Sequence, residues 1–163
     1  FQVASALDTP FDDTTFDRAV TIQMQMGIAD KDAFYREVFR ILKPGGAFVF
    51  QDLVAGPNEG PLNTPTPWAS EQHHSHLYLP NDLLKAIEAS GLVKELWRDK
   101  TEEMKAWQGQ QNASSKTDGP RPALGIHLVL GPTALEKQQN TQKNLTEGRI
   151  GYVQAIFRKP ASS

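Results

Sequence analysis

The chain has 163 residues, 39% of them hydrophobic and 22% charged, and its 17 Lys and Arg against 19 Asp and Glu give a formal net charge of −2. That length suits one domain with an ordinary core, and near-balanced, interspersed charge argues against the basic face of a nucleic-acid protein. The absence of cysteine rules out disulfides and thiolate metal sites. No apolar run approaches the ~20 residues that span a bilayer, and no signal-peptide pattern opens the sequence, so a cytoplasmic protein is expected.

The first residues, Phe1 to Leu7, have the character of a strand's end. The chain starts on Phe1 rather than Met, so a preceding segment is expected. Leu7 to Asp17 is turn-rich, with Pro10 and an Asp-Asp-Thr-Thr cluster between Phe11 and Phe16. Phe16 to Ile22 then reads as a short strand. Asp30 is placed to cap a helix whose Phe34, Val38, Ile41 and Leu42 form one apolar stripe. Pro44-Gly45-Gly46 ends that helix, and Ala47 to Val54 reads as a strand buried on both faces. Strand, helix and strand make one right-handed crossover, and the rest of the chain is arranged around it.

Ala55 to Pro67 is rich in Pro, Gly and Asn and reads as loop. Pro80 opens a helix with Leu83, Leu84 and Ile87 inward, closed by Gly91, and Leu92 to Asp99 is a predicted strand. Thr101 is expected to cap a helix carrying Met104 and Trp107. Residues 112–122 read as an exposed flexible loop within a single domain spanning 1–163. Ala123 to Leu130 is apolar. Thr133 to Glu136 has the pattern of a capping box for a polar surface helix that Gly148 closes. Ile150 to Arg158 is the final predicted strand.

The chemistry is quiet. His73, His74 and His76 share one loop, but His-His-x-His has no helical i,i+4 pair, so no metal site is predicted. A substrate-facing role for His74 or His76 is the better reading, because loops after parallel strands line the ligand crevice. Gly45-Gly46 follows a helix C-terminus, where the dipole repels anions, so the pair is structural rather than a phosphate loop. There is no Gly-x-Ser-x-Gly and no Gly-x-Gly-x-x-Gly. Asp52, near the end of its strand, is either a ligand-facing or a loop-capping acid.

Leu7-Asp-Thr-Pro-Phe-Asp-Asp-Thr-Thr-Phe-Asp17, Asp30-Lys31 and Arg40-Ile-Leu-Lys-Pro-Gly-Gly46, at this spacing, resemble the second half of a class I S-adenosylmethionine-dependent methyltransferase of the type 11 branch. Leu124 to Gly131, Asn144 to Ile150 and Val153-Gln154-Ala155 are similar to the C-terminal part of the sarcosine/dimethylglycine N-methyltransferase-like members. The resemblance implies an α/β fold, an incomplete Rossmann-like methyltransferase fold. It would have three layers, α/β/α, around a mostly parallel sheet in the family's strand order 4-5-7-6, with an antiparallel last strand. Phe1 to Val3 would end family strand 3.

The resemblance also implies S-adenosylmethionine as cofactor and a small-molecule methyl acceptor, through nitrogen or oxygen. Ser5, Ala6 and Leu7 fall at the adenine side, with Ser5 where the family carries an acid. Thr21, Ile22 and Gln23 fall at the methionine end, Gln23 at an often acidic position. Gly27 stands where relatives often have a substrate-facing histidine, and Asp52, His74 and His76 complete the substrate-side candidates. The family's glycine-rich loop and ribose-binding acid would lie upstream of Phe1. The chain alone is therefore expected to bind the cofactor weakly or not at all, which micromolar affinity in a calorimetric titration would contradict. An open edge and face at the strand Phe16 to Ile22 would favour a homodimer. The competing expectation is a truncated or degenerate methyltransferase-like module with an interaction or oligomerisation role and no catalysis.

Overall fold

The computed structural model describes residues 2–114 and 124–161. In chain order the elements are β1 (Phe16–Ile22), α1 (Lys31–Ile41), β2 (Leu42–Ala55), α2 (Pro80–Ala89), β3 (Val93–Asp99), α3 (Thr101–Ser114), α4 (Ile126–Leu130), α5 (Ala134–Thr146) and β4 (Ile150–Arg158). The four strands form one sheet in the order β1-β2-β4-β3. β1 runs parallel to β2, and β4 runs antiparallel to both β2 and β3. Three strands therefore point one way and the last points back, as the 4-5-7-6 expectation requires.

The crossover forms for the reasons legible in its residues. The Asp30 carboxylate accepts from the Ala33 N–H at 2.8 Å, satisfying one of the free donors at the start of α1. Phe34, Tyr35 and Val38 then turn inward and meet Phe48, Phe50 and Phe157 of the sheet, with Leu83 and Ile87 of α2 closing the same cluster. Phe50 and Phe157 stack at 6.1 Å across the β2–β4 ladder. Strand pairing from Leu42 makes β2 longer than the predicted Ala47 to Val54. Its register with β1 breaks where Pro44-Gly45-Gly46 kinks the chain, and Gly45 sits at φ +76, a conformation glycine adopts at least cost.

On the other face Leu53, Ile150 and Tyr152 pack against Leu145 of α5 and Met26, with Met104 and Trp68 partly buried around them. That cover stops partway. Val20 and Ile22 of β1 are 62% and 69% exposed. With Val49, Leu96 and Ile156 they line an open groove of about 290 Å³.

Several local expectations are corrected. Phe1 lies outside the described residues, and Gln2 and Val3 are not in a strand; no neighbouring strand satisfies their backbone among the described residues. Thr101 does not cap α3. The Asp99 carboxylate accepts from the Thr101 N–H, and the Thr101 hydroxyl accepts from the Tyr152 N–H. Thr133 makes no side-chain cap, because its φ −91, ψ 15 lies outside the extended region that aims a capping side chain at the helix. α5 is not a surface helix throughout, since Leu145 and Asn144 are fully buried. Residues 112–114 continue α3, and the rest of the predicted loop at 112–122 lies outside the described residues.

Candidate functional site

The C-terminal ends of β1 and β2 carry two loops, and the sequence-predicted candidates divide between them. After Ile22 the chain turns sharply. Gln23 takes φ +49, unusual for a residue with a Cβ, and its N–H donates to the Gln51 carbonyl at 2.9 Å. Gln25–Gly27 forms one 3-10 turn. The N–H groups of Met24 and Gln25 both donate to Asp52 Oδ2, at 3.1 and 3.0 Å, while Asp52 Oδ1 accepts from the Leu53 N–H.

Asp52 is completely buried and its oxygens are taken up by these donors. Its carboxylate thus ties the turn after β1 to β2. Burial pushes its carboxyl above the ordinary value, against the pull of the three N–H groups and of Lys31. Lys31 is buried too. Its Nζ donates to the carbonyls of Gln25 and Ile28, at 2.7 and 3.1 Å, and lies 5.0 Å from the centre of the Tyr78 ring. Burial lowers its ammonium from 10.5 to about 8, with the Asp52 charge opposing. The Gln25 side chain accepts from the Tyr35 hydroxyl at 2.6 Å and donates to the Thr21 hydroxyl at 3.0 Å. Burial raises Tyr35 well above the usual phenol range, so it stays a donor.

The second loop, residues 56–79, crosses the ends of β2 and β4. Gly56 packs so close to Gly148 that a Cβ there would meet its carbonyl oxygen at 2.1 Å. Asn63 is tied to the buried Asn144 of α5. The loop reaches the first one where the His76 N–H donates to the Met26 carbonyl at 2.9 Å, and the Trp68 indole donates to the Ser75 hydroxyl nearby.

Thr21, Ile22, Gln23, Gly27, Asp52 and His76 therefore gather at one end of the sheet. Before β1, Ser5 bridges to Asp8 and its hydroxyl accepts from the Leu7 N–H, while Ala6 packs against the same core cluster as Met24 and Ile28. His74 faces Ser70 at 3.0 Å on the exposed rim. Among the described residues no group of three or more metal-ligating side chains converges, and no helix is long and apolar enough to cross a membrane. Sequence reasoning gave no role to Lys31, Gln25 or Tyr35. One signal was available for Lys31, a cation in the first turn of α1, where the helix dipole disfavours it.

Residues 1–50 match the family model described as a methyltransferase domain. Over this stretch the chain is similar to methyltransferase domains. A sterol methyltransferase-like protein of Botryococcus braunii is 43% identical over 60 residues, covering 37% of this chain and 15% of its own. Likeness of fold extends further. The [4+2]-cyclase SpnF superposes with a TM-score of 0.68 at 22% identity over 99% of this chain and 56% of its own. Geranyl diphosphate C-methyltransferase from Streptomyces coelicolor, solved with S-adenosylhomocysteine, gives 0.68 at 21% identity over 97% and 51%. The chain thus spans about half the length of these solved structures, and its matched segment about a seventh of the curated relative.

Proposed function

We propose that the protein carrying this chain is an S-adenosylmethionine-dependent methyltransferase acting on a nitrogen or oxygen of a small molecule. In this reading the backbone at Thr21, Ile22 and Gln23 meets the methionine end of the cofactor, Ser5 to Leu7 contributes on the adenine side, and Gly27 and His76 face the acceptor. The observation that carries it is the position of the turn after β1. It lies inside the stretch with the methyltransferase-domain match, at the C-terminal edge of a parallel pair, where open α/β sheets bind their ligands. The cofactor supplies an activated methyl group. The chain's residues orient it, exclude water and need no strong acid or base, because an in-line displacement by a neutral nucleophile is accelerated chiefly by positioning. In such a transfer the methyl–sulfur bond would break as the acceptor's lone pair bonds the methyl carbon, S-adenosylhomocysteine would leave, and an N–H or O–H acceptor would give up its proton to solvent.

The test is a titration of the ¹⁵N-labelled chain with S-adenosylhomocysteine, followed amide by amide, which detects weak binding as readily as tight. Shifts concentrated at residues 5–7 and 21–27 support the reading; shifts concentrated elsewhere contradict it.

A second reading is favoured by one observation, the uncovered face of β1. Val20 and Ile22 expose apolar surface beside an open strand edge, the combination that invites pairing with another chain. A homodimer through this edge or face, with or without catalysis, is its concrete form. Sedimentation of the chain at high concentration would give a dimer under this reading, and a clean monomer would refute it.

A further inference from the structure

The turn after β1 is gripped from two sides by opposite charges. Its amide groups converge on one acid, since Asp52 Oδ2 accepts from both Met24 and Gln25. Its carbonyls converge on one base, since Lys31 Nζ donates to Gln25 and Ile28. Asp52 comes from β2 and Lys31 from the first turn of α1, so the turn is fixed to both elements that flank it in the crossover. The Gln25 side chain extends the grip back to Thr21 and across to Tyr35. No buried polar side-chain atom among the described residues is left without a partner.

We propose that Asp52 and Lys31 are positioning residues, which hold the 23–28 turn so that the backbone of Thr21 to Gln23 is presented in one fixed conformation to the methionine end of S-adenosylmethionine. This inference rests on the function proposed above. A single 3-10 turn has poor intrinsic stability, and Gln23 in a left-handed conformation adds local cost, so the turn needs outside support to keep its shape. Burying an acid and a base is a poor way to gain stability, because desolvation offsets most of their attraction. Their value here is geometric. The carboxylate can accept N–H groups that an apolar side chain would leave unpaired, and the ammonium does the same for carbonyls. Neither side chain touches the ligand; both act through the backbone they hold.

The test uses Asp52→Leu and Lys31→Met in the full chain, with two readouts. Amide hydrogen exchange reports the turn without any ligand, and the S-adenosylhomocysteine titration reports the site. In Asp52→Leu no acceptor remains for the Met24 and Gln25 N–H groups, so they should exchange at least ~10-fold faster while the β2–β4 ladder is little changed, as expected of local opening. The ligand concentration for half-saturation should rise by a similar factor. Lys31→Met carries the same test should Asp52→Leu fail to fold. Exchange at Met24 and Gln25 that moves only in step with the ladder would overturn the proposal, leaving Asp52 a stabilising residue alone. A freed turn with unchanged ligand affinity would overturn the positioning role. Ligand-induced shifts concentrated away from residues 5–7 and 21–27 despite a protected turn would refute the cofactor reading, and not the grip itself.

Discussion

Lys159 reaches back to Phe39 across 120 positions. Its Nζ donates to the Phe39 carbonyl at 2.8 Å and lies 4.3 Å from the centre of the Phe39 ring, while also donating to the Leu42 carbonyl at 2.8 Å. The backbone of the same residue pairs with Gly45 and Gly46. One side chain beyond β4 therefore satisfies carbonyls at the C-terminus of α1, the end where a cation is favoured.

Lys159→Met should leave those carbonyls short of a donor and cost about 1–2 kcal/mol. Urea unfolding would measure it as a lower midpoint at unchanged slope. A variant as stable as the wild type would remove the staple from the account.

Glu37 fastens the segment before β1 to the crossover. It accepts from the Arg40 guanidinium and from the N–H and hydroxyl of Thr9. The Arg40 bond, with help from Thr9 and against burial, holds its carboxyl at about 2 instead of 4.5. A depressed acid stabilises fully above its ordinary value and loses that contribution as the folded form takes up a proton. The stability gap between wild type and Glu37→Gln should therefore be constant above pH 4.5 and shrink as pH falls toward 2, as followed by urea midpoints across that range.

Lys31 gives the opposite window. Between about 8 and 10.5 the folded chain has released a proton that the unfolded chain still holds, so stability rises with pH there. Below 8 the full cost of burying the ammonium is present. Relative to Lys31→Met, the wild type should gain stability through this window. A flat difference would mean that Lys31 is more solvated than its position indicates.

Asn144, buried on α5, exchanges three hydrogen bonds with Asn63, through the Asn63 N–H, amide and carbonyl. Asn144→Leu should cost about 2 kcal/mol, because it strands polar groups of a loop that cannot all reach water. It should also raise hydrogen exchange in residues 56–66 before anywhere else.

The crossover was legible in the sequence because its signals are local. The Asp30 cap, the stripe from Phe34 to Leu42 and the glycine turn need no distant partner to be read. The sheet order required the family resemblance, since nothing in β4 itself says that it inserts between β2 and β3. Neither Thr101 nor Thr133 caps its helix, for reasons set by tertiary packing: the Thr101 hydroxyl is taken by the Tyr152 N–H, and the Thr133 backbone lies outside the capping region. Asp52 and Lys31 show the limit at the site. Each looks ordinary in its own element, and only the fold brings an acid from a strand and a base from a helix to opposite sides of one turn.

The most direct test of the account is photo-crosslinking of radiolabelled S-adenosylmethionine to the protein, followed by tryptic mapping. Cleavage after Arg18 and Lys31 releases the whole turn as one peptide, residues 19–31. The account predicts label in that peptide, abolished by excess S-adenosylhomocysteine. Label that resists competition, or that falls instead on the exposed sheet face at Leu96 or Ile156, would contradict it.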